Sequence, residues 1–283
     1  MMIIDAHNSI VPWEERAFEQ LYGPQMVELF RPCSYENVLS QMDRLGIDRL
    51  ITWNVAARPE LSSLCNDWTA RVRDRNPNRF IGFCCVHPGE LDEAVEEVDR
   101  SVHELGLSGL KLHCQVQRVA ISDPNVTHLI EKAKGMNLPV VLHVNPPLFE
   151  EFESLIKDMP RKGQTVQMTP DDFLDTTRSE FCEPGQLDAV VEAYDSTKVM
   201  AAHMGGVFFG PAVNSRISFQ TTGASKKIIE WACQYLGPER VVFGTDLPFF
   251  KMDEELEKVT TANLSPDDKE KVLSGNILRI LQA

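Results

Sequence analysis

A (β/α)8 barrel of the TIM type is the fold this sequence predicts, and three observations predict it. Short apolar runs alternate with amphipathic stretches of helical period along the whole chain. Eight such strand–helix alternations are present, and alternation of this kind means parallel strands joined by crossovers. The length of 283 residues fits a single barrel, which typically needs about 250. The chain is therefore read as one domain over residues 1–283. The rival is an open doubly wound sheet. It would favour a Gly-rich phosphate loop after the first strand, and Asp5-Ala6-His7-Asn8-Ser9 is not one.

The elements follow in order. Met2–Asp5 reads as the first strand. Tyr35–Leu45 has helical period and stops at Gly46, a residue suited to a C-cap. Arg49–Asn54 reads as the second strand, and Leu61–Asn76 as a helix halted before Pro77. Phe80–Cys85 is the third strand, followed by a charged amphipathic helix over Leu91–Leu105. Gly109–Leu112 is the fourth strand, Thr127–Lys134 a helix, and Val140–Leu142 the fifth strand, set up by Pro139. Leu187–Tyr194 is a helix, Lys198–Ala202 the sixth strand and Ile217–Gln220 a weak seventh. Ala224–Leu236 is a helix ending at Gly237, and Val241–Gly244 is the eighth strand. A last helix starts at Ser265-Pro266, an N-cap followed by proline at the first helical position. Ile277–Leu281 forms a final apolar turn.

Two segments break this rhythm. Ser9–Pro32 follows the first strand and contains a helical stretch, Trp13–Phe30. Pro146–Pro184 follows the fifth and is long, polar and proline-punctuated. In a barrel both long loops fall on the C-terminal face of the strands, where active sites sit. They read as lids or substrate walls.

Composition narrows the function classes. Hydrophobic residues at 43% and charged residues at 25% describe a globular chain with a large core. A net charge of −14 repels phosphate backbones, so no nucleic-acid partner is expected. A small anionic substrate stays open, because a local cationic cluster overrides the global field. The seven cysteines are odd in number and form no CxxC pair, which reads as reduced thiols in a cytoplasmic protein. No apolar run approaches the roughly 20 residues that span a bilayer. No signal-type leader is read at the start. A cytoplasmic enzyme with a small-molecule substrate and no membrane partner is the expectation.

Four ionisable residues share one position rule. His7, His143, His203 and Asp246 each come directly after a strand run. In a parallel barrel those strand ends converge on one mouth, although the residues are spread across the sequence. Imidazole nitrogens and a carboxylate suit a borderline divalent metal such as zinc.

With these residues in view, the sequence resembles the amidohydrolase superfamily, and within it the amidohydrolase-2 branch that includes aminocarboxymuconate-semialdehyde and resorcylate decarboxylases. The matching stretches are IIDAHNS, LGIDRLI, NRFIGFCCVHP, GLKLH, LPVVLHVNPP, KVMAAHMGG, RVVFGTDLPF and SGNILRIL, in family order from Met2 to Leu281. The resemblance implies one divalent metal, zinc first and manganese second, held by His7, His143 and Asp246. It implies Asp246 and His203 as the catalytic acid–base residues, and a homodimer as the assembly. One departure stands out. The family pair His-x-His reads His7-Asn8-Ser9 here. Serine is a poor zinc ligand, so the site keeps three protein ligands plus water, or else has lost the metal.

Further residues are assigned to the substrate. Lys111 and His113 end the fourth strand. Lys111 is read as the anchor of an anionic group, against a structural salt bridge or the carbamylated bridging lysine of other branches. His113 either replaces the missing ligand or lines the mouth. Asn54 and Arg58 after the second strand, and Phe249 after Asp246, are read as substrate contacts. His87 is read as part of the wall. The reaction placed first is metal-assisted hydrolysis of a small, carboxylated amide, ester or lactone. The alternatives are metal-dependent non-oxidative decarboxylation and a metal-free binding barrel.

Overall fold

The computed structural model describes residues 1–12, 30–144, 180–208 and 214–282. Eight parallel strands form its centre. They are β1 (Ile4–Ser9), β2 (Arg49–Trp53), β3 in two pieces (Phe80–Gly82 and Cys84–Cys85), β4 (Leu110–Leu112), β5 (Val140–Leu142), β6 (Val199–Ala201), β7 (Ser218–Gln220) and β8 (Val241–Val242). Neighbours in space are neighbours in sequence, and every pairing is parallel.

Phe83 carries the ladder across the break in β3. Its N–H donates to Thr52 O at 2.9 Å on one side, and the next N–H, of Cys84, donates to Gly109 O at 2.8 Å on the other. The ring closes where Ala6 N–H donates to Phe243 O at 3.0 Å. This is the barrel the sequence predicts, and closure removes the free strand edges of an open sheet.

Side chains alternate between two apolar layers, as the period of two along a strand requires. Ile4, Ile51, Phe83, Val141, Met200 and Val242 fill the lumen, plugged from below by Ile277 and Ile280. Leu50, Leu110, Leu112, Val140, Val199 and Phe219 face outward into the helical layer. Lys111 lies between Leu110 and Leu112, and Gln220 follows Phe219, so both polar side chains belong to the lumen.

The outer layer includes α1 (Tyr35–Leu45), α2 (Ser62–Arg75), α3 (Leu91–His103), α4 (Cys114–Gln117), α5 (Pro124–Gly135), α6 (Leu187–Ala193), α7 (His203–Phe208), α8 (Lys226–Leu236), α9 (Met252–Thr260), α10 (Pro266–Glu270) and α11 (Asn276–Gln282). Their ends follow local chemistry. Ser34 Oγ caps α1 by accepting from Asn37 N–H, and Gly46 ends it at φ 69°. Ser225 and Ser265 cap α8 and α10 in the same way.

One strand differs in a way that matters. β1 runs on to Ser9, so His7 lies inside the strand rather than after it. Asp5 pairs with Leu50 while Asn8 pairs with Thr52, so one extra residue bulges from β1 at Ala6–His7. Bulges of this kind re-aim a side chain. The expected helix at Trp13–Phe30 lies almost wholly outside the described residues, as does most of the Pro146–Pro184 loop. All seven cysteines are buried free thiols. Among the described residues no helix is long and apolar enough to cross a membrane.

Candidate active site

The strand ends bring His7, His203 and Asp246 together. His7 Nε2 is 3.5 Å from Asp246 Oδ1, and His203 Nε2 is 3.6 Å from Asp246 Oδ2. Both imidazoles are almost fully buried, whereas Asp246 keeps 17% of its side chain exposed and faces the mouth. Asp246 sits at φ 62° and begins the turn after β8. His203 and Met204, with Gly205 and Gly206 behind them, also have positive φ. Left-handed backbone at a non-glycine residue costs about 1–2 kcal/mol, and such strain gathers at functional sites.

Hydrogen bonds fix the tautomer of His7. Gln220 Nε2 donates to Ala6 O at 2.8 Å, so its Oε1 accepts from His7 Nδ1 at 2.6 Å. His7 therefore presents an unprotonated Nε2 to Asp246 Oδ1. His203 Nδ1 lies 3.2 Å from Thr222 O and 3.1 Å from the Thr222 hydroxyl, which tie the ring down and direct its Nε2 at Asp246 Oδ2. A bare nitrogen facing a carboxylate with no donor between them calls for a cation or a proton.

Burial sets the charge states. It pushes the imidazoles of His7, His113 and His143 far below the usual range, and that of His203 down to about 3, with the Lys111 charge acting in the same sense. Burial pushes Asp246 up to about 7, against the pull of Lys111. It pushes Lys111 down to about 8, against the pull of Asp246. The cluster is thus a set of neutral imidazoles around one carboxyl, with one ammonium below.

The other expected residues fall in different places. His143 stacks on His113 at 3.9 Å and 14°, and meets His203 edge-on at 4.9 Å. His143 Nε2, His203 Nε2, His113 Nδ1 and Lys111 Nζ are buried without a hydrogen-bond partner. Lys111 is fully buried, its Nζ 4.8 Å from the centre of the Trp53 ring. Trp53 in turn meets His7 edge-on at 4.7 Å. Asn54 is buried and donates to Ile10 O at 3.0 Å. Phe249 is 58% exposed at the rim, edge-to-face with Phe30. Arg58 turns outward and pairs with Glu60 at 2.7 Å. His87 lines a surface groove with Glu60, Glu90 and Arg100, away from the cluster.

Several residues that hold the site have no role in the sequence pattern beyond their strands. Asp5 Oδ1 accepts from the N–H groups of His7 (3.1 Å) and Thr245 (3.0 Å), and Oδ2 from Asn8 Nδ2 (3.2 Å) and Thr245 Oγ1 (2.5 Å). Gln220 and Thr222 hold the two rings. The available signal was a polar residue at an inward strand position, as at Asp5 and Gln220.

The residues present fit a divalent metal by donor chemistry. Two donors of a tetrahedral ion with bonds of about 2.0–2.1 Å lie roughly 3.4 Å apart, close to the 3.5 Å of His7 and Asp246. The His7 ring also donates its far N–H to a fixed oxygen, the usual support of a metal-binding imidazole. Among the described residues, however, no three His, Cys, Asp or Glu side chains are drawn into a closed metal centre.

The fold and site define a closed parallel barrel that gathers imidazoles and a carboxylate at its strand ends. The chain belongs to the amidohydrolase family, whose match covers residues 4–282. It is similar to the 2-amino-3-carboxymuconate-6-semialdehyde decarboxylase of Dictyostelium discoideum, 24% identical over 255 residues. That match covers 78% of this chain and 66% of the relative, so the chain spans slightly less than two thirds of it. The 2,6-dihydroxybenzoate decarboxylase from Rhizobium superposes with a TM-score of 0.73 at 20% identity, over 100% of this chain and 99% of that one. The dihydroxybenzoic acid decarboxylase from Polaromonas sp. JS666, solved with bound manganese and the inhibitor 2-nitroresorcinol, gives a TM-score of 0.69 at 18% identity, over 99% and 97%.

Proposed function

We propose that the protein is a non-oxidative decarboxylase of a small, oxygenated carboxylic acid, assisted by one divalent metal. His7, His143 and Asp246 would hold the ion, with manganese preferred to zinc because the Polaromonas decarboxylase was solved with manganese. When bound, the ion polarises the acidic end of the substrate. What carries the reading is a fully buried ammonium, Lys111 Nζ, without a hydrogen-bond partner, in the barrel that gathers His7, His203 and Asp246 at its strand ends. It receives an anionic group of the substrate.

In this reaction the bond from the carboxylate carbon to the substrate carbon breaks, carbon dioxide leaves, and the electron pair stays on the substrate carbon. That carbon takes a proton from the Asp246–His203 pair, whose facing atoms are 3.6 Å apart. Lys111 holds a second anionic oxygen of the substrate, His113 lines the cavity beside His143, and Phe249 walls the rim. Asn54 positions the strand end through Ile10, and Arg58 guards the outer approach. Hydrolysis, the reaction the sequence analysis put first, would use the same residues. The relatives above are decarboxylases, and that reverses the order.

The test is product analysis. Manganese-loaded protein is offered 2,6-dihydroxybenzoate and other aromatic and unsaturated diacids, with esters and lactones in parallel. Carbon dioxide release is expected. Hydrolysis products without carbon dioxide would sink the reading. One domain over residues 1–283 and a homodimeric assembly complete the proposal, checked by a single unfolding transition and by light scattering.

A further inference from the structure

We propose that Gln220 is a positioning residue that selects the tautomer of His7, and so decides which nitrogen faces Asp246. The argument rests on two hydrogen bonds made by one amide. Gln220 Nε2 donates to Ala6 O at 2.8 Å and lies 3.9 Å from Met200 Sδ. Turning the amide over would set its oxygen against the Ala6 carbonyl, two acceptors at hydrogen-bond distance. Oε1 is therefore fixed toward His7 Nδ1 at 2.6 Å, and an acceptor there requires a proton on Nδ1. A neutral imidazole carries one proton, so Nε2 is left bare, 3.5 Å from Asp246 Oδ1.

Two features keep the ring from escaping this choice. Trp53 meets it edge-on at 4.7 Å and 77°, and the His7 backbone N–H is tied to Asp5 at 3.1 Å. Without the Gln220 oxygen, the ring is free to place its proton on Nε2 and donate it to Asp246. That hydrogen bond would occupy the lone pair offered to a cation. Gln220 thus acts through His7 and touches neither substrate nor metal. The tautomer claim stands by itself, and its consequence for a cation rests on the metal reading above.

The test begins with 15N-histidine spectra of chelator-treated protein. The native His7 ring is expected to show a single form protonated at Nδ1. Gln220→Met removes the acceptor at similar size. It is expected to populate the Nε2-protonated form and to weaken Mn2+ binding by roughly 10–100-fold, with the circular dichroism unchanged. Gln220→Glu keeps an acceptor toward Nδ1, its buried acid being protonated and donating its O–H to Ala6 O. It is expected to retain the Nδ1-protonated form and to bind Mn2+ at least tenfold more tightly than Gln220→Met. Should Gln220→Met not fold, the Gln220→Glu spectrum decides, and an Nε2-protonated His7 there overturns the proposal. It is equally overturned by an unchanged tautomer in folded Gln220→Met, or by equal loss of Mn2+ affinity in both variants. Native protein that binds no Mn2+, with a tautomer still answering to Gln220→Met, would refute the metal reading and leave this inference intact.

Discussion

Asp5 on β1 accepts the Thr245 hydroxyl at 2.5 Å, from a residue 240 positions away. This carboxylate also takes three other hydrogen bonds, and its four donors flank both His7 and Asp246. It is a clasp between the first strand and the turn after the last. Asp5→Ala would leave three buried donors without partners, since Asn8 Nδ2 keeps the Thr245 hydroxyl at 3.0 Å. At about 1–3 kcal/mol for each unsatisfied group, with partial relaxation, a loss on the order of 3–5 kcal/mol is expected. Urea unfolding measures it, and a loss under 1 kcal/mol would contradict the clasp.

Lys111 gives the pH signature. Its ammonium is fully buried without a hydrogen-bond partner, and burial lowers its pKa to about 8. Between about 8 and about 10.5 the unfolded chain holds a proton that the folded protein has released, so wild-type stability rises with pH across that window. Lys111→Met lacks this term. In chelated samples it is expected to exceed wild-type stability at pH 7 by up to about 3 kcal/mol, with the gap closing by about pH 10.5. The same substitution should reduce turnover of acidic substrates. A variant that is less stable at pH 7 would count against an unpaired ammonium.

Gly244 tests the geometry around His7. A Cβ at this position would lie 2.8 Å from His7 Cβ and 3.1 Å from Thr222 Cγ2. Gly244→Ala therefore forces His7 or its neighbours to shift, and with them the 3.5 Å contact of His7 with Asp246. A misplacement of about 1 Å is enough to lower turnover on the order of a hundredfold. The expected outcome is a folded protein with near-native substrate affinity and a turnover loss of that size, read by steady-state kinetics.

Metal binding is checked by thermal shift. Mn2+ at a hundred times its dissociation constant is expected to stabilise the native protein by about 2.7 kcal/mol. Asp246→Asn removes the carboxylate that both imidazoles face and should abolish the shift. An equal shift in both proteins would place the ion elsewhere.

Much of the fold was legible in the sequence because local rules suffice for it. Val140–Leu142 and Tyr35–Leu45 have the bounds that periodicity and the Gly46 cap predict. The first strand is read as Met2–Asp5, where the apolar run ends, yet it spans Ile4–Ser9 because the β2 ladder extends to Ser9 opposite Trp53. His7, His203 and Asp246 were legible because strand ends of a parallel barrel share one mouth. Arg58 illustrates the opposite case: proximity to a strand end says nothing of direction, and its nearest counter-ion, Glu60, lies outside. Thr222 was invisible, and Gln220 showed only as a polar residue at an inward strand position, because their roles depend on hydrogen bonds between strands, which no local pattern encodes. The order of the two reactions was unreadable for a different reason, since one residue set can perform either.

The clasp between Asp5 and Thr245 has a consequence for the timing of synthesis. At roughly 5–20 residues per second, the 240 positions between them take roughly 10–50 s to be made. Throughout that interval Asp5 and His7 have left the ribosome without their partners, and the growing sheet exposes an open edge. The contact between His7 and Asp246 therefore forms late, once the last strand docks.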